Sequence, residues 1–119
     1  MKIVILEDEG ALLSLLVRVL TRSGHKVDAA ETSKLACQLI QEQAYDLVIT
    51  DRQLPDDDGE LKTLRLSKNL DDSIPVIVMS GEYDDQIVAD AMAAGANHFL
   101  RKPFTIMELL NLVAGFKKE

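Results

Sequence analysis

The sequence predicts an α/β fold of the doubly wound kind, a (βα)5 three-layer sandwich in which a parallel five-stranded sheet carries helices on both faces. Three observations predict it. Short apolar runs alternate five times with stretches of helical period, which is the pattern of β-strands followed by crossover helices. Three of those runs, Ile3-Val4-Ile5-Leu6, Leu47-Val48-Ile49 and Val76-Ile77-Val78-Met79, are continuously apolar, as strands covered on both faces must be. The length of 119 residues, without a linker, repeat or low-complexity tract, fits one domain over residues 1–119.

The elements follow in order. Strands are predicted over Lys2–Leu6, Lys26–Ala30, Asp46–Thr50, Pro75–Met79 and His98–Leu100. Helix one carries Leu12, Leu15, Leu16, Val19 and Leu20 on one stripe and stops at Gly24, a residue suited to a left-handed helix end. Helix two begins at Thr32-Ser33, good capping residues, and buries Leu35, Leu39 and Ile40. Helix three, from about Glu60 to Asn69, uses Leu61 and Leu64. Helix four starts at about Asp84, presents Ile87, Val88, Ala91 and Met92, and ends before Gly95. Helix five follows Pro103 and buries Ile106, Leu109, Leu110 and Val113. Strand two alternates and strand five is short, so both belong at the edges, and right-handed crossovers then allow the order 2-1-3-4-5.

Composition narrows the function. With 13 basic against 20 acidic residues the net charge is -7, which opposes direct binding to nucleic acid or anionic membrane. No apolar run approaches the roughly 18 residues of a membrane span, and Glu7-Asp8-Glu9 interrupts the N-terminus before a secretory apolar region develops, so a cytoplasmic location is expected. The single cysteine, Cys37, has no second thiol for a disulfide or a metal motif.

In an open parallel sheet the ligand site lies at the carboxyl ends of the strands where the winding reverses, here between strands one and three. Strand one ends in Glu7-Asp8-Glu9, strand three in Asp51, strand four in Ser80-Gly81 and strand five in Arg101-Lys102-Pro103. Taken alone, Asp8 and Asp51 read as turn or cap carboxylates and Ser80 as a turn residue. Neighbouring strands are about 4.8 Å apart, so Glu7, Asp8 and Asp51 can converge on one ion. Three unpaired carboxylates in that space raise each other's pKa unless a cation joins them, and Mg2+ suits a few carboxylates plus a phosphoryl oxygen. Lys102 adds a mobile positive charge and Ser80 a hydroxyl. Asp51 alone begins a loop by itself at an interior strand end, which makes it the expected nucleophile and aspartyl-phosphate site.

These fragments together resemble the receiver domain of the two-component response regulators, over nearly the whole chain. Ile5-Leu6-Glu7-Asp8-Glu9 resembles the family's acidic pocket, with Glu7 where an aspartate is frequent. Asp46-Leu47-Val48-Ile49-Thr50-Asp51, followed by Leu54-Pro55 and Gly59, resembles the phosphoacceptor segment. Ser80-Gly81 matches the switch hydroxyl and its small neighbour, Phe99 the switch aromatic, and Lys102-Pro103-Phe104 the lysine-proline signature. The resemblance implies a flavodoxin-like, CheY-like fold. It also implies Mg2+, with Mn2+ as a substitute, bound by Glu7, Asp8, Asp51 and the backbone carbonyl of Gln53, and a cis bond before Pro103. It implies phosphotransfer to Asp51 from a sensor histidine kinase or a histidine phosphotransfer protein, self-catalysed with Lys102 and Ser80. Output would pass through helix four, strand five and helix five to an output domain, a partner protein or a phosphorylation-dependent dimer.

Competing classes fit less well. An aspartate-nucleophile phosphatase needs an acid two positions after the nucleophile, and Gln53 stands there. A flavin carrier needs a hydroxyl- and glycine-rich loop after strand one, where this chain has three acids. A receiver that has lost phosphorylation would lack one of the required residues. Asp56-Asp57-Asp58-Gly59 is out of register for a calcium loop and reads as a solvated turn, Asp71-Asp72-Ser73 as an exposed loop, and Cys37, His25 and His98 as structural or surface residues. The chain fits a stand-alone receiver or the front half of a longer regulator. Asn97-His98 before Phe99, and the lack of Lys or Arg from Thr105 to Gly115, depart from the receivers joined to winged-helix DNA-binding domains.

Overall fold

The computed structural model describes residues 1–57 and 61–116. Five strands, β1 (Lys2–Leu6), β2 (Lys26–Ala30), β3 (Leu47–Asp51), β4 (Val76–Ser80) and β5 (His98–Arg101), alternate with five helices, α1 (Gly10–Arg22), α2 (Ser33–Glu42), α3 (Lys62–Leu70), α4 (Asp85–Ala93) and α5 (Ile106–Ala114). All strand pairs are parallel and the order is β2-β1-β3-β4-β5, as the sequence predicts. The three apolar runs are the three central strands, and every residue of β3 and β4 is buried. The edge strands are shallower, with only Ala30 of β2 and Leu100 of β5 buried.

Alternation along the central strands divides the core in two. Ile3, Ile5, Leu47, Ile49, Ile77 and Met79 face one side, where Leu13, Leu16 and Leu20 of α1 and Leu109 and Val113 of α5 cover them. Val4, Val48, Val76 and Val78 face the other, against Ile40, Leu64 and Ala91. A third cluster joins Leu6, Ala30, Ala36 and Leu54 beneath the end of the sheet that carries the acidic residues.

Local chemistry sets the helix ends. The Thr32 hydroxyl accepts from the Leu35 amide at 3.2 Å, and the Asp84 carboxylate accepts from Ile87 at 2.8 Å. Thr105 and Glu108 form a reciprocal capping box at the start of α5. Gly24, at φ +95°, closes α1, and Gly95, at φ +110°, follows α4.

Several expectations need correction. Strands three and four are displaced by one residue, so Asp51 and Ser80 are the last residues of β3 and β4. The buried stripe of α1 is Leu13, Leu16 and Leu20, with Leu15 exposed; the run of leucines is periodic in two registers one residue apart. In α2 the small Ala36 is buried in the cluster with Leu6, and Leu35 is exposed. Leu61 precedes α3 in a left-handed conformation, φ 58°, which a non-glycine residue adopts at a steric cost that its burial among Val48 and Leu64 offsets. The expected helix start at Glu60, and Asp58, Gly59 and the segment 117–119, lie outside the described residues.

Candidate functional site: an acidic pocket with a lysine

The sheet order places the C-terminal ends of β1 and β3 side by side, with Leu6 opposite Thr50 in register. The chain therefore brings Glu7 and Asp51, the next residues along, together at the carboxyl end of the sheet. Glu7 is 1% exposed and Asp51 is buried, whereas Asp8 is open to solvent. One carboxylate oxygen from each of Glu7, Asp8 and Asp51 lies within 4.8 Å of the others.

Lys102 crosses from the end of β5 into this group. Its Nζ donates to Asp51 Oδ2 at 2.9 Å and to Glu7 Oε1. Burial pulls the ammonium toward its neutral form, but the hydrogen bonds to Glu7 and Asp51 outweigh it and hold its pKa above the ordinary lysine value. Two of the three carboxylates thus share a lysine. Three carboxylates against one ammonium still leave two negative charges, the charge of one divalent cation. Oxygen donors of this kind, partly open through Asp8, suit Mg2+.

Backbone groups fix the acids. The amide of Gln53 donates to Asp51 Oδ1 at 3.1 Å and that of Glu9 to Glu7 Oε2 at 3.2 Å. The Lys102-Pro103 peptide bond is cis, and the Lys102 amide donates to the Ser80 carbonyl at 2.8 Å, so β4 positions the start of the lysine loop. Beside Lys102 a cavity of about 650 Å3 opens between Leu12 and Leu15 on one side and Phe104 and Ile106 on the other.

Ser80 is wholly buried at the end of β4, one residue beyond Met79, the register partner of Asp51. Its Oγ accepts from the Glu82 amide at 3.0 Å, and among the described residues no hydrogen bond joins it to Asp51 or Lys102. Phe99 lies opposite Val78, half-buried. Sequence reasoning missed the loop between them. Glu82 accepts from Gln53 Nε2 at 2.6 Å and pairs with Arg52 at 3.5 Å, and Tyr83 meets Phe99 edge to face at 5.9 Å. The only signal for these residues is their place directly after a strand end in the site.

The other expectations stand differently. Asp56 lies exposed in a turn, as expected, whereas Asp57 is buried. Asp56 accepts the Ser33 and Lys34 amides at 2.9 and 3.0 Å, and buried Asp57 accepts the Lys62 amide at 2.9 Å. Cys37 is half-buried beside Thr63, and burial pushes its thiol pKa up. His25 Nδ1 lies 3.1 Å from the N-terminal amine, and His98 is exposed. No helix among the described residues is long and apolar enough to cross a membrane.

Comparison with known proteins agrees with this geometry. The profile of the response regulator receiver domain matches residues 3–114. The virulence transcriptional regulatory protein PhoP of Salmonella typhimurium strain 14028s is 36% identical over 110 residues, which are 92% of this chain and 49% of PhoP. PhoP of Escherichia coli K12 is 34% identical over the same shares. This chain therefore spans about half the length of these relatives. Among solved structures, a two-component response regulator from Clostridium difficile superposes with a TM-score of 0.91 at 25% identity, covering 98% of this chain and 94% of that one. The beryllofluoride-activated DrrB receiver domain does so with a TM-score of 0.86 at 29% identity, over 97% and 95% of the two chains. On its sequence, its strand order and its acidic pocket, the chain belongs to the response regulator receiver domain family.

Proposed function

We propose that residues 1–119 form one receiver domain, a phosphorylation-operated switch in which Asp51 accepts a phosphoryl group from a sensor histidine kinase or a histidine phosphotransfer protein. The observation that carries this reading is the buried Asp51 carboxylate, held at 2.9 Å by Lys102 beside Glu7 and Asp8. An Asp51 oxygen forms a bond to phosphorus as the phosphorus–nitrogen bond of a donor phosphohistidine breaks, and the electron pair returns to the imidazole. Gln53 orients the attacking carboxylate through its amide. Lys102 faces the charge that develops on the phosphoryl oxygens, and Ser80 supplies a hydroxyl that can turn toward them. Glu7, Asp8, Asp51 and the carbonyl of Gln53 would hold Mg2+, or Mn2+ in its place, which offsets phosphoryl charge. The same residues, with water as acceptor, return the domain to its resting state, and no other enzymatic activity is assigned.

The signal passes from Ser80 to Phe99 and the surface of α4, β5 and α5. That surface meets an output domain, a partner protein or a second copy of the chain in a cytoplasmic pathway. The formal charge of -7 argues against direct contact with nucleic acid or membrane by this domain. Incubation with phosphoramidate and Mg2+ tests the central step. One phosphoryl mass should add to the wild type and none to Asp51→Asn; full modification of the variant would remove Asp51 from its role.

A further inference from the structure

The loop between β4 and α4 touches the acidic pocket with one residue and the edge strand with the next. Glu82 is held from three directions: its amide donates to Ser80 Oγ at 3.0 Å, and its carboxylate meets Gln53 Nε2 at 2.6 Å and Arg52 at 3.5 Å. Tyr83 turns the other way. Its ring is 53% exposed, meets Phe99 edge to face at 5.9 Å with an interplanar angle of 64°, and lies under the Arg101 guanidinium at 5.0 Å. An exposed aromatic stacked between a cation and a second ring is a specific contact rather than a leftover of packing.

We infer that Tyr83, clamped by Arg101, is a positioning residue that holds Phe99 in the resting conformation and so sets how readily the domain activates. The inference rests on the reading of Phe99 as the switch aromatic. A contact made in one of two conformations biases their populations by its own strength. Phe99 is half-buried, with Tyr83 on its outer side and the cluster of Val78 and Ala91 beneath it, so loss of the Tyr83 contact leaves it the inner surface to pack on. The route from the pocket is short. A serine hydroxyl drawn toward a phosphoryl group loosens its bond to the Glu82 amide, and the next residue in the chain is Tyr83. Arg101 adjoins both ends of this route, because it is the register partner of Ser80 and also the cation over Tyr83.

The test is a titration of the full chain with beryllofluoride at saturating Mg2+, followed by the NMR shifts of the Phe99 ring. The midpoint is the readout, because removing a neighbouring ring changes the amplitude trivially. Tyr83→Ala should lower the midpoint about fivefold and Arg101→Ala about twofold, while Tyr83→Phe, which keeps the ring, should titrate like the wild type. A wild-type midpoint for Tyr83→Ala overturns the inference, as does a Tyr83→Phe midpoint displaced as far as that of Tyr83→Ala. If Phe99 does not respond in the wild type while the Asp51 amide does, the switch reading of Phe99 fails and this inference fails with it.

Discussion

Lys102 donates to Asp51 across 51 residues of sequence at 2.9 Å, and it does so from an edge strand to a central one. The contact spans β4, so the pocket closes only when β5 is seated. Charge in the pocket and the position of the edge strand are therefore linked.

The first prediction concerns the two negative charges that Lys102 leaves unmatched. A ligand that binds only the folded state, present at 100 times its Kd, adds about 2.7 kcal/mol, which for a domain of this size raises Tm by about 10 °C or more. Mg2+ should do this for the wild type. Asp8 is exposed, so Asp8→Ala leaves the core intact and should remove most of the gain. Differential scanning calorimetry with and without Mg2+ decides it, and an undiminished shift in the variant would exclude Asp8 as a ligand.

Chemistry and switching should separate at Ser80. Its hydroxyl bonds the Glu82 amide rather than Asp51, so Ser80→Ala should still accept a phosphoryl group. Phosphorylation brings about -1.5 to -2 charges, and without the hydroxyl the pull on the loop is lost. Phosphorylated Ser80→Ala should show smaller shift changes at Phe99 than the wild type in NMR spectra; equal changes would show that another group carries the coupling.

A third prediction uses pH. Burial acts to raise the pKa of Asp56, but the Ser33 and Lys34 amides that its carboxylate accepts outweigh it and lower the value below the ordinary one. A carboxyl group whose folded pKa is depressed stabilises the fold above its unfolded pKa of about 4, and that contribution fades as pH falls through the folded value. Asp56→Asn should therefore be less stable than the wild type at pH 7, with the gap narrowing below about pH 4. Urea melts across that range measure it, and a gap independent of pH would exclude the charge as the cause.

The sheet was legible because its central strands are apolar without interruption, and the pocket because its acids and lysine stand at strand ends. The helix faces were less so. Leucine or valine at 12, 13, 15, 16, 19 and 20 supports two stripes, and only contact with β1 and β3 selects Leu13 and Leu16. Asp56 reaches α2 from 23 residues away, a pairing that no local pattern encodes. The loop at Glu82 and Tyr83 was invisible for the same reason, since its partners Gln53 and Phe99 belong to the loop after β3 and to β5.

The final prediction concerns the output. Met92 is 45% exposed on α4, and Ile106 and Leu110 of α5 are half-buried. Activation by beryllofluoride should increase self-association or the affinity for an output protein through this face, read by sedimentation velocity. Mobility-shift assays with duplex DNA should show no binding in either state. If neither association nor partner affinity responds, the face is not the readout.

The unequal depth of the strands has a mechanical consequence. Asp51 belongs to a strand buried along its whole length and flanked by two others, so its carboxylate, the proposed phosphoacceptor, stands on a firmly held strand. Phe99 and Arg101 belong to an outer strand in which Leu100 is buried and Phe99 half-buried. Displacing that strand sacrifices less apolar burial than displacing β3 would, so it is the more easily moved of the two. Amide exchange should be slow along β3 and fast along β5, a gradient of compliance running from Asp51 toward Phe99.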